Sequence, residues 1–285
     1  MSTNDTTGPE LSQMARLLFD SAANNWYLGI FLQIIAGGIG VAAGLLTLDN
    51  SSKFIFAFLG FVILTCAVVL RVISEGKHGR AETMRRQAAF TEGLGWPISE
   101  TLISDWRVRA GKTIVDKVEA TPRSADYYFS KKGIGPRKLL EMAIESAFYT
   151  RHLYVYLAKW IWILLGGSVI LSLLVLAILP AKIVPDELSL QIAYTIFLIL
   201  PIILTIDLFD SIVKLTGLKS SILEVETDME KLSHEKRINS KDIIRLVSEY
   251  NCQIACGFPI HNWVFAQCHN EIDKFWAKRS KKLIK

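Results

Sequence analysis

The sequence predicts an all-α integral membrane protein with four transmembrane helices in two hairpins and with helical cytoplasmic extensions. The first reason is composition, since 51% of the 285 residues are hydrophobic and the mean hydropathy is +0.32. The second is that these residues form four separate blocks without charged residues. Each block approaches the roughly 20 helical residues that cross a bilayer core. Buried core helices of a soluble protein are the alternative, but they rarely include four such runs.

The four blocks define the order of segments along the chain. The predicted spans are 26–48, 54–70, 160–179 and 188–206. Turn-forming residues separate the first two spans, and Pro180 and Pro185 lie between the last two. The chain is therefore predicted to contain a cytoplasmic N-terminal segment (1–25), a first hairpin (26–70), a cytoplasmic middle region (71–159), a second hairpin (160–206) and a cytoplasmic helical tail (207–285).

The basic residues predict the orientation of these spans. Of the 32 Lys and Arg residues, 16 lie in 71–159 and 13 follow residue 206, whereas each short loop holds one. Positively charged segments stay on the cytoplasmic side of a membrane. We therefore expect both termini to be cytoplasmic.

The long cytoplasmic segments are predicted to extend the spans. Residues 71 to about 90 continue the second span as a helical stalk, whereas 91–135 are rich in Gly and Pro and are expected to be irregular. Pro136 suits a first helical position, and the helix that it begins should run without interruption into the third span. Six residues of this helix form one apolar stripe: Leu139, Met142, Ala143, Ala147, Leu153 and Leu157.

The tail is predicted to contain three helical segments. The first carries apolar residues at alternating three- and four-residue spacing, typical of a coiled-coil seam: Leu215, Leu218, Ile222, Val225, Met229 and Leu232. This seam fits packing within the chain and self-association equally well. Two further helices are expected at about 240–256 and 262–282.

Two motifs that suggest chemistry are not favoured. The Gly111-Lys112-Thr113 triplet lacks the earlier glycine of a phosphate-binding loop, because Trp106 occupies that position. A zinc site would draw on Cys252, Cys256, His261, Cys268 and His269. Their spacing is looser than a common zinc knuckle, and small apolar cysteines commonly fill cores. We predict no metal and no cofactor.

One predicted helix carries Glu141, Glu145, Ser146 and His152, but not as a catalytic set. His152 lies neither one nor two turns from Ser146, and no third residue would orient it. Helix packing or surface exposure accounts for these residues better. The sequence therefore predicts that the protein is not an enzyme.

The basic segment 123–138 is the candidate ligand-binding site. It combines two lysines, a Gly-x-Gly turn and a helix start, where unpaired backbone N–H groups attract anions. Aromatic side chains that include Phe129 suit stacking on a nucleobase. The candidate ligand-binding residues are Arg123, Tyr127, Tyr128, Lys131, Lys132, Gly133, Gly135, Arg137 and Lys138. The alternatives are a solvated basic loop and attraction to lipid head groups, which distance from the membrane weakens.

Weakly polar residues in the spans are candidates for lining a pore. They are Gln33, Gln191, Tyr194, Thr195, Asp207 and Asp210, of which the two aspartates would form acidic rings in an oligomer. Ala36, Gly40 and Gly44 form a ridge of small residues for close helix contact, and Gly166 and Gly167 are expected to act similarly. Ordinary packing is the alternative for all of these residues.

Two features of the chain resemble a known family. One is the order of its segments: hairpin, cytoplasmic middle, hairpin and helical tail. The other is residues 125–153, with the sequence ADYYFSKKGIGPRKLLEMAIESAFYTRHL. This is the family of four-transmembrane effectors associated with SMODS-type nucleotidyltransferases, the membrane effectors of cyclic-oligonucleotide antiphage systems (CBASS). The likeness in plan covers nearly the whole chain, whereas the likeness in sequence is short. No functional residue is carried over from it.

The resemblance implies an antiviral defense function and a location in a bacterial inner (plasma) membrane. A sister enzyme would make a cyclic oligonucleotide or cyclic dinucleotide on infection, the cytoplasmic part would bind it, and an oligomer of the spans would permeabilise the inner membrane. The implied partners are membrane lipid, further copies of the chain and that nucleotide, but neither DNA nor long RNA. The alternatives are a membrane scaffold or assembly protein and a transporter.

Overall fold

The computed structural model describes residues 7–46, 49–120, 128–178 and 188–283. Within these ranges it contains eight α-helices and no β-strand. The helices are α1 (Thr7–Leu45), α2 (Asn50–Leu94), α3 (Glu100–Ala110), α4 (Lys112–Ala120), α5 (Pro136–Ile178), α6 (Leu188–Ser233), α7 (Ser240–Ala255) and α8 (Asn262–Leu283). Helices α1, α2, α5 and α6 each contain a segment long and apolar enough to cross a membrane. The prediction of an all-α membrane protein with four transmembrane helices is therefore confirmed.

Packing divides the chain into two compact units. The membrane unit comprises Asn24–Glu75 and Ala158–Lys214. The extramembrane unit comprises Met1–Ala23, Gly76–Leu157 and Leu215–Lys285. Helices α1, α2, α5 and α6 contribute residues to both units.

The membrane unit carries many large apolar side chains on its surface. Its exposed residues include Phe31, Ile55, Phe58, Ile163, Ile170 and Leu173. Exposure of such a set to water would be costly, whereas lipid tails accept it without cost. A buried cluster of Ala43, Ala57, Val175, Tyr194 and Phe197 lies inside.

Gly40 of α1 lies against the part of α6 where Pro201 removes a backbone hydrogen bond. Pro201 lies inside α6 and has no backbone N–H, so the carbonyl of Phe197, four residues earlier, loses its helical donor. A Cβ atom on Gly40 would stand 3.1 Å from this carbonyl oxygen. The glycine therefore allows its Cα–H groups to approach an acceptor that the proline has freed.

Replacing Gly40 by alanine is expected to destabilise the membrane unit by about 1–2 kcal/mol, because the new methyl group meets backbone atoms. Thermal unfolding of the protein in lipid nanodiscs measures the effect. Gly38→Ala is the matched control, since no atom lies within 4 Å of its Cβ position. Equal stability of the two variants would contradict the close contact at Gly40.

The expected role of Gly166 and Gly167 in close packing is wrong within the chain. No atom lies within 4 Å of either Cβ position. Leu165 and Ser168 on the same helix are buried, so the packed face of α5 passes beside the two glycines. The surroundings of Gly44 lie outside the described residues.

The core of the extramembrane unit includes the first turns of α1. Leu11, Met14 and Leu18 are buried against Met84 of α2 and Trp106 of α3. The segment 1–25, predicted only as a cytoplasmic N-terminal segment, therefore supplies part of a core from Thr7 onwards. Its apolar residues recur at helical spacing, so the pattern is present but short.

The prediction that 91–135 is irregular is wrong over much of its length. Helix α2 continues to Leu94, and α3 and α4 follow. The Ser99 side chain accepts the Leu102 N–H and caps α3, which buries Ile103 and Trp106. The glycine at 111, with φ of +87°, ends one helix and separates it from the next.

The predicted stalks and tail helices are confirmed. Helix α5 begins at Pro136 and runs into the third span, and α6 runs from the fourth span to Ser233. In the tail seam, Leu215, Ile222, Val225, Met229 and Leu232 are buried within the chain, and Leu218 is partly buried. The seam therefore packs intramolecularly, which resolves the choice that the spacing left open.

Candidate functional site

A cavity of about 300 Å³ lies in the extramembrane unit. We call it the α5 cavity. Four segments line it: the residues before α5, the first turns of α5, the connection between α6 and α7, and the last turns of α8. The lining residues are Phe129, Ser130, Lys132, Arg137, Leu140, Glu141, Ile144, Glu145, Ser233, His234, Glu235, Lys236, Ile238, Trp276 and Ser280.

Local sequence rules place these segments. Helical spacing sets Leu140, Glu141, Ile144 and Glu145 on one side of α5, so this helix presents two apolar and two acidic side chains to the cavity. Asn239 caps α7 by accepting the Lys241 N–H, which fixes where the α6–α7 connection ends.

Polar contacts hold the wall of the cavity together. Glu141 accepts hydrogen bonds from Lys132 Nζ at 2.5 Å and from Ser130 Oγ at 2.6 Å. Arg137 Nη2 donates to the carbonyl oxygens of Glu235 and Lys236 at 3.1 and 3.3 Å. Two of the basic side chains are thus already engaged in joining the lining segments.

Glu145 has a different environment from Glu141. One of its carboxylate oxygens accepts the backbone N–H of Phe129 at 2.9 Å. Among the described residues, no Lys or Arg lies within ion-pair distance of it. Burial raises the pKa of Glu145, and the hydrogen bond from Phe129 offsets this only in part. Carboxyl groups whose pKa is raised by burial are enriched at functional sites.

Trp276 of α8 joins the cavity to a buried ion network. Its ring packs 5.2 Å from that of Phe148, and the guanidinium groups of Arg151 and Arg279 lie over the same Phe148 ring at 5.9 and 5.3 Å. Both arginines also bind the carboxylate of Glu226, which is 1% exposed. This network ties α5, α6 and α8 together beside the cavity.

The structure separates the candidate ligand-binding residues. Lys132 and Arg137 line the α5 cavity, whereas Lys131 and Gly133 are exposed. The remaining described residues contact other groups: Tyr128 interacts electrostatically with Arg85, Gly135 N donates to Gly93 O at 2.7 Å, and Lys138 interacts with Glu92. Arg123 and Tyr127 lie outside the described residues.

Two of the candidate pore-lining residues belong to one polar cluster of the membrane unit. Gln33 Nε2 donates to Asp207 Oδ2 at 2.6 Å, and Arg71 Nη1 binds the same oxygen at 2.9 Å. The guanidinium of Arg71 lies 5.9 Å from the centre of the Trp26 ring. We call Gln33, Arg71 and Asp207 the Arg71 cluster. It joins α1, α2 and α6, and it neutralises Asp207 inside the chain.

The other candidate pore-lining residues have varied surroundings. Tyr194 is buried, and its hydroxyl accepts a hydrogen bond from Lys53 Nζ at 3.0 Å. Thr195 is exposed and donates to the carbonyl of Gln191, which is partly exposed. Asp210 is exposed and pairs with Lys214 at 2.7 Å.

The residues considered for a catalytic set or a zinc site do not form such a site in the described structure. Ser146 shares a hydrogen bond with Tyr250, and His152 Nδ1 lies 2.8 Å from the carbonyl of Phe148. Cys252 and Cys256 are exposed, whereas Cys268 is buried. Within the described ranges, no group of three or more His, Cys, Asp or Glu residues is arranged to hold a metal ion.

Sequence reasoning found the basic side of the cavity and its Phe129 ring, but not its acidic side or Trp276. Glu141 and Glu145 are one helical turn apart immediately after the basic segment, and this pairing was the available signal. No local pattern indicated Trp276 or the α6–α7 connection, because they come from distant parts of the chain.

Comparison with known proteins gives no family assignment. No family model, no curated protein and no solved structure matches this chain.

Proposed function

We propose that the protein is a ligand-gated membrane effector. It binds a nucleotide signal in the α5 cavity and, as a homo-oligomer, permeabilises the bacterial inner membrane. The observation that carries the proposal is the cavity itself, which is lined by residues of α5 and by the end of α6. Both of these helices also contribute a membrane span.

The size and lining of the cavity support a ligand of this class. A volume of about 300 Å³ is at the lower end of the range for small-molecule sites. The wall combines the aromatic rings of Phe129 and Trp276 with the cations Lys132, Arg137 and Lys236. Aromatic faces suit a nucleobase, and cations suit phosphate.

For ligand binding to change the membrane spans, part of the protein must adopt two conformations, and the ligand must bind one of them more tightly. The α6–α7 connection is suited to this role, since Arg137 of α5 holds its carbonyls and ligand phosphate would compete for the same guanidinium. Release of Arg137 would free the end of α6, a helix that also carries the fourth span.

The membrane unit supports permeabilisation by an oligomer rather than by one chain. In the single chain, Gln33 and Tyr194 are buried, and Asp207 is paired with Arg71. A conducting path therefore needs rearrangement of these contacts or apposition of several copies. The family resemblance suggests a cyclic oligonucleotide or dinucleotide as the signal and antiphage defense as the context.

The test is nucleotide-dependent leakage from liposomes that contain the full-length protein. Leakage of an encapsulated dye is measured against a panel of cyclic dinucleotides and cyclic trinucleotides. Lys132→Ala is expected to raise the half-maximal ligand concentration about tenfold, because one charge-assisted contact contributes roughly 1.4 kcal/mol. The neighbouring Lys131→Ala change should have a smaller effect, since Lys131 is exposed outside the cavity wall.

Lys219→Ala, an exposed change on α6 remote from the lining, controls for loss of charge. An equal response of the Lys131 and Lys132 variants would contradict the placement of the ligand in the α5 cavity. Absence of leakage under every nucleotide, from protein shown to be inserted and folded, would overturn the proposed function.

A further inference from the structure

Glu145 is chemically distinct from the other acidic residues of the α5 cavity. Glu141 is occupied by Lys132 and Ser130, and Glu235 is exposed on the α6–α7 connection. Glu145 instead has one hydrogen-bond donor among the described residues, the Phe129 backbone N–H. A carboxylate offers about four acceptor positions, so the described residues leave most of its capacity unused.

A second unused polar group belongs to a residue that lines the same cavity. The indole N–H of Trp276 is buried and has no acceptor among the described residues. Leaving a buried donor or acceptor unpaired is costly, and such groups in native proteins call for an explanation. Within the described residues, the lining of the cavity thus combines a carboxylate that has one donor with an indole N–H that has no acceptor.

The rings beside these groups favour a planar ligand. Phe129 is 48% exposed at the cavity wall, and Leu140 and Ile144 supply an apolar surface on α5. A planar heterocycle with N–H groups on one edge and acceptors on another matches this lining. Nucleobases have this character.

We propose that the α5 cavity recognises the guanine base of a nucleotide, with the Glu145 carboxylate accepting hydrogen bonds from guanine N1–H and N2–H. This inference rests on the proposed function and specifies the base that the signal carries. A carboxylate needs two adjacent donors, which guanine offers on its Watson–Crick edge. Adenine and cytosine place a ring acceptor beside their amino group, and uracil flanks its one N–H with carbonyls, so each presents a lone pair to the carboxylate.

Charge in the rest of the cavity is compatible with the phosphate of such a ligand. Lys236 and His234 lie on the α6–α7 connection and are exposed. Lys132 and Arg137 add to the positive field even while engaged with protein oxygens. The base is thus read by Glu145, and the cations interact with phosphate without distinguishing bases.

The test measures affinity of the full-length protein in lipid nanodiscs for four probes by calorimetry. The probes are GMP, AMP, cyclic di-GMP and cyclic di-AMP, which separate the base from the form of the nucleotide. Each guanine probe is expected to bind roughly 10- to 100-fold more tightly than its adenine counterpart, the discrimination typical of a bidentate base contact. Glu145→Gln should remove most of this preference, because an amide replaces one acceptor by a donor.

Glu235→Gln is the matched control, since it makes the same chemical change in another lining residue. Glutamine at 145 retains an acceptor for the Phe129 N–H, and an unchanged unfolding temperature would show that the variant is folded. Equal affinity for guanine and adenine probes, or an unchanged preference in Glu145→Gln, would overturn the inference and leave the proposed function standing. Failure of all four probes to bind at millimolar concentration would overturn the inference, whereas leakage induced by another nucleotide would still support the proposed function.

Discussion

Replacing Glu226 by glutamine is expected to lower the free energy of unfolding by about 3–5 kcal/mol, the usual effect of breaking a buried ion pair on one side. The Glu226 carboxylate is 1% exposed and binds both Arg151 and Arg279. The amide would leave two guanidinium groups, both near the Phe148 ring, without their shared counter-ion. Helices α5, α6 and α8 would lose their common polar contact. Denaturant unfolding of the detergent-solubilised protein, followed by circular dichroism, measures the change.

Glu230→Gln provides the control for this prediction. Glu230 also binds Arg279, at 2.5 Å, but its side chain is 38% exposed. Pairs near solvent contribute about 0–1 kcal/mol, so the control should unfold almost as the parent protein does. If Glu226→Gln lowered the free energy of unfolding no more than Glu230→Gln does, burial of the network would contribute little to stability.

Replacing Arg71 by alanine is expected to destabilise the membrane unit by about 2–3 kcal/mol, less than for a fully buried pair because both partners are partly exposed. The change leaves the Asp207 carboxylate with Gln33 as its only partner in the Arg71 cluster. A charge without a counter-ion at the end of a span is costly. If the cluster holds the membrane unit closed, dye leakage from liposomes should also rise without any nucleotide. Thermal unfolding in nanodiscs and the leakage assay measure the two effects.

A charge swap separates loss of the ion pair from loss of the side chain. The double variant Arg71→Asp with Asp207→Arg should recover most of the stability that either single change removes. Lys214→Ala is the control, since it breaks the exposed Asp210–Lys214 pair on α6 and should change little. If the double variant were as unstable as the sum of its single changes, the pairing of Arg71 with Asp207 would not be the stabilising contact.

The long helices were predictable because their signals are local. An uncharged run of about 20 residues identifies a span, and the absence of a breaker after Pro136 predicted the whole of α5. The two short helices after residue 99 were not predictable in the same way. Gly and Pro residues suggested irregular structure, whereas burial of Trp106 and capping by Ser99 stabilise α3. Tertiary packing therefore overrode a composition signal.

The candidate site was predictable on its basic side and at Phe129. A cluster of Lys and Arg is visible in a sequence, and two of its members, Lys132 and Arg137, do line the cavity. The lack of an ion pair between Glu145 and any described Lys or Arg was not visible, because it depends on which cations lie near it in space. The same holds for Trp276, which follows Glu145 by more than a hundred residues.

The sequence alone determined the four spans, the helical extensions of α2, α5 and α6, and the two final helices. These depend on runs, spacings and helix-start residues that act within a few turns of the chain. Only the tertiary structure decided that the tail seam packs within the chain, that Asp207 pairs with Arg71, and that Glu145 lines the cavity without an ion pair to any described Lys or Arg. The physical reason is that burial and pairing depend on residues brought together from distant segments, and a local sequence pattern does not show which segments come into contact.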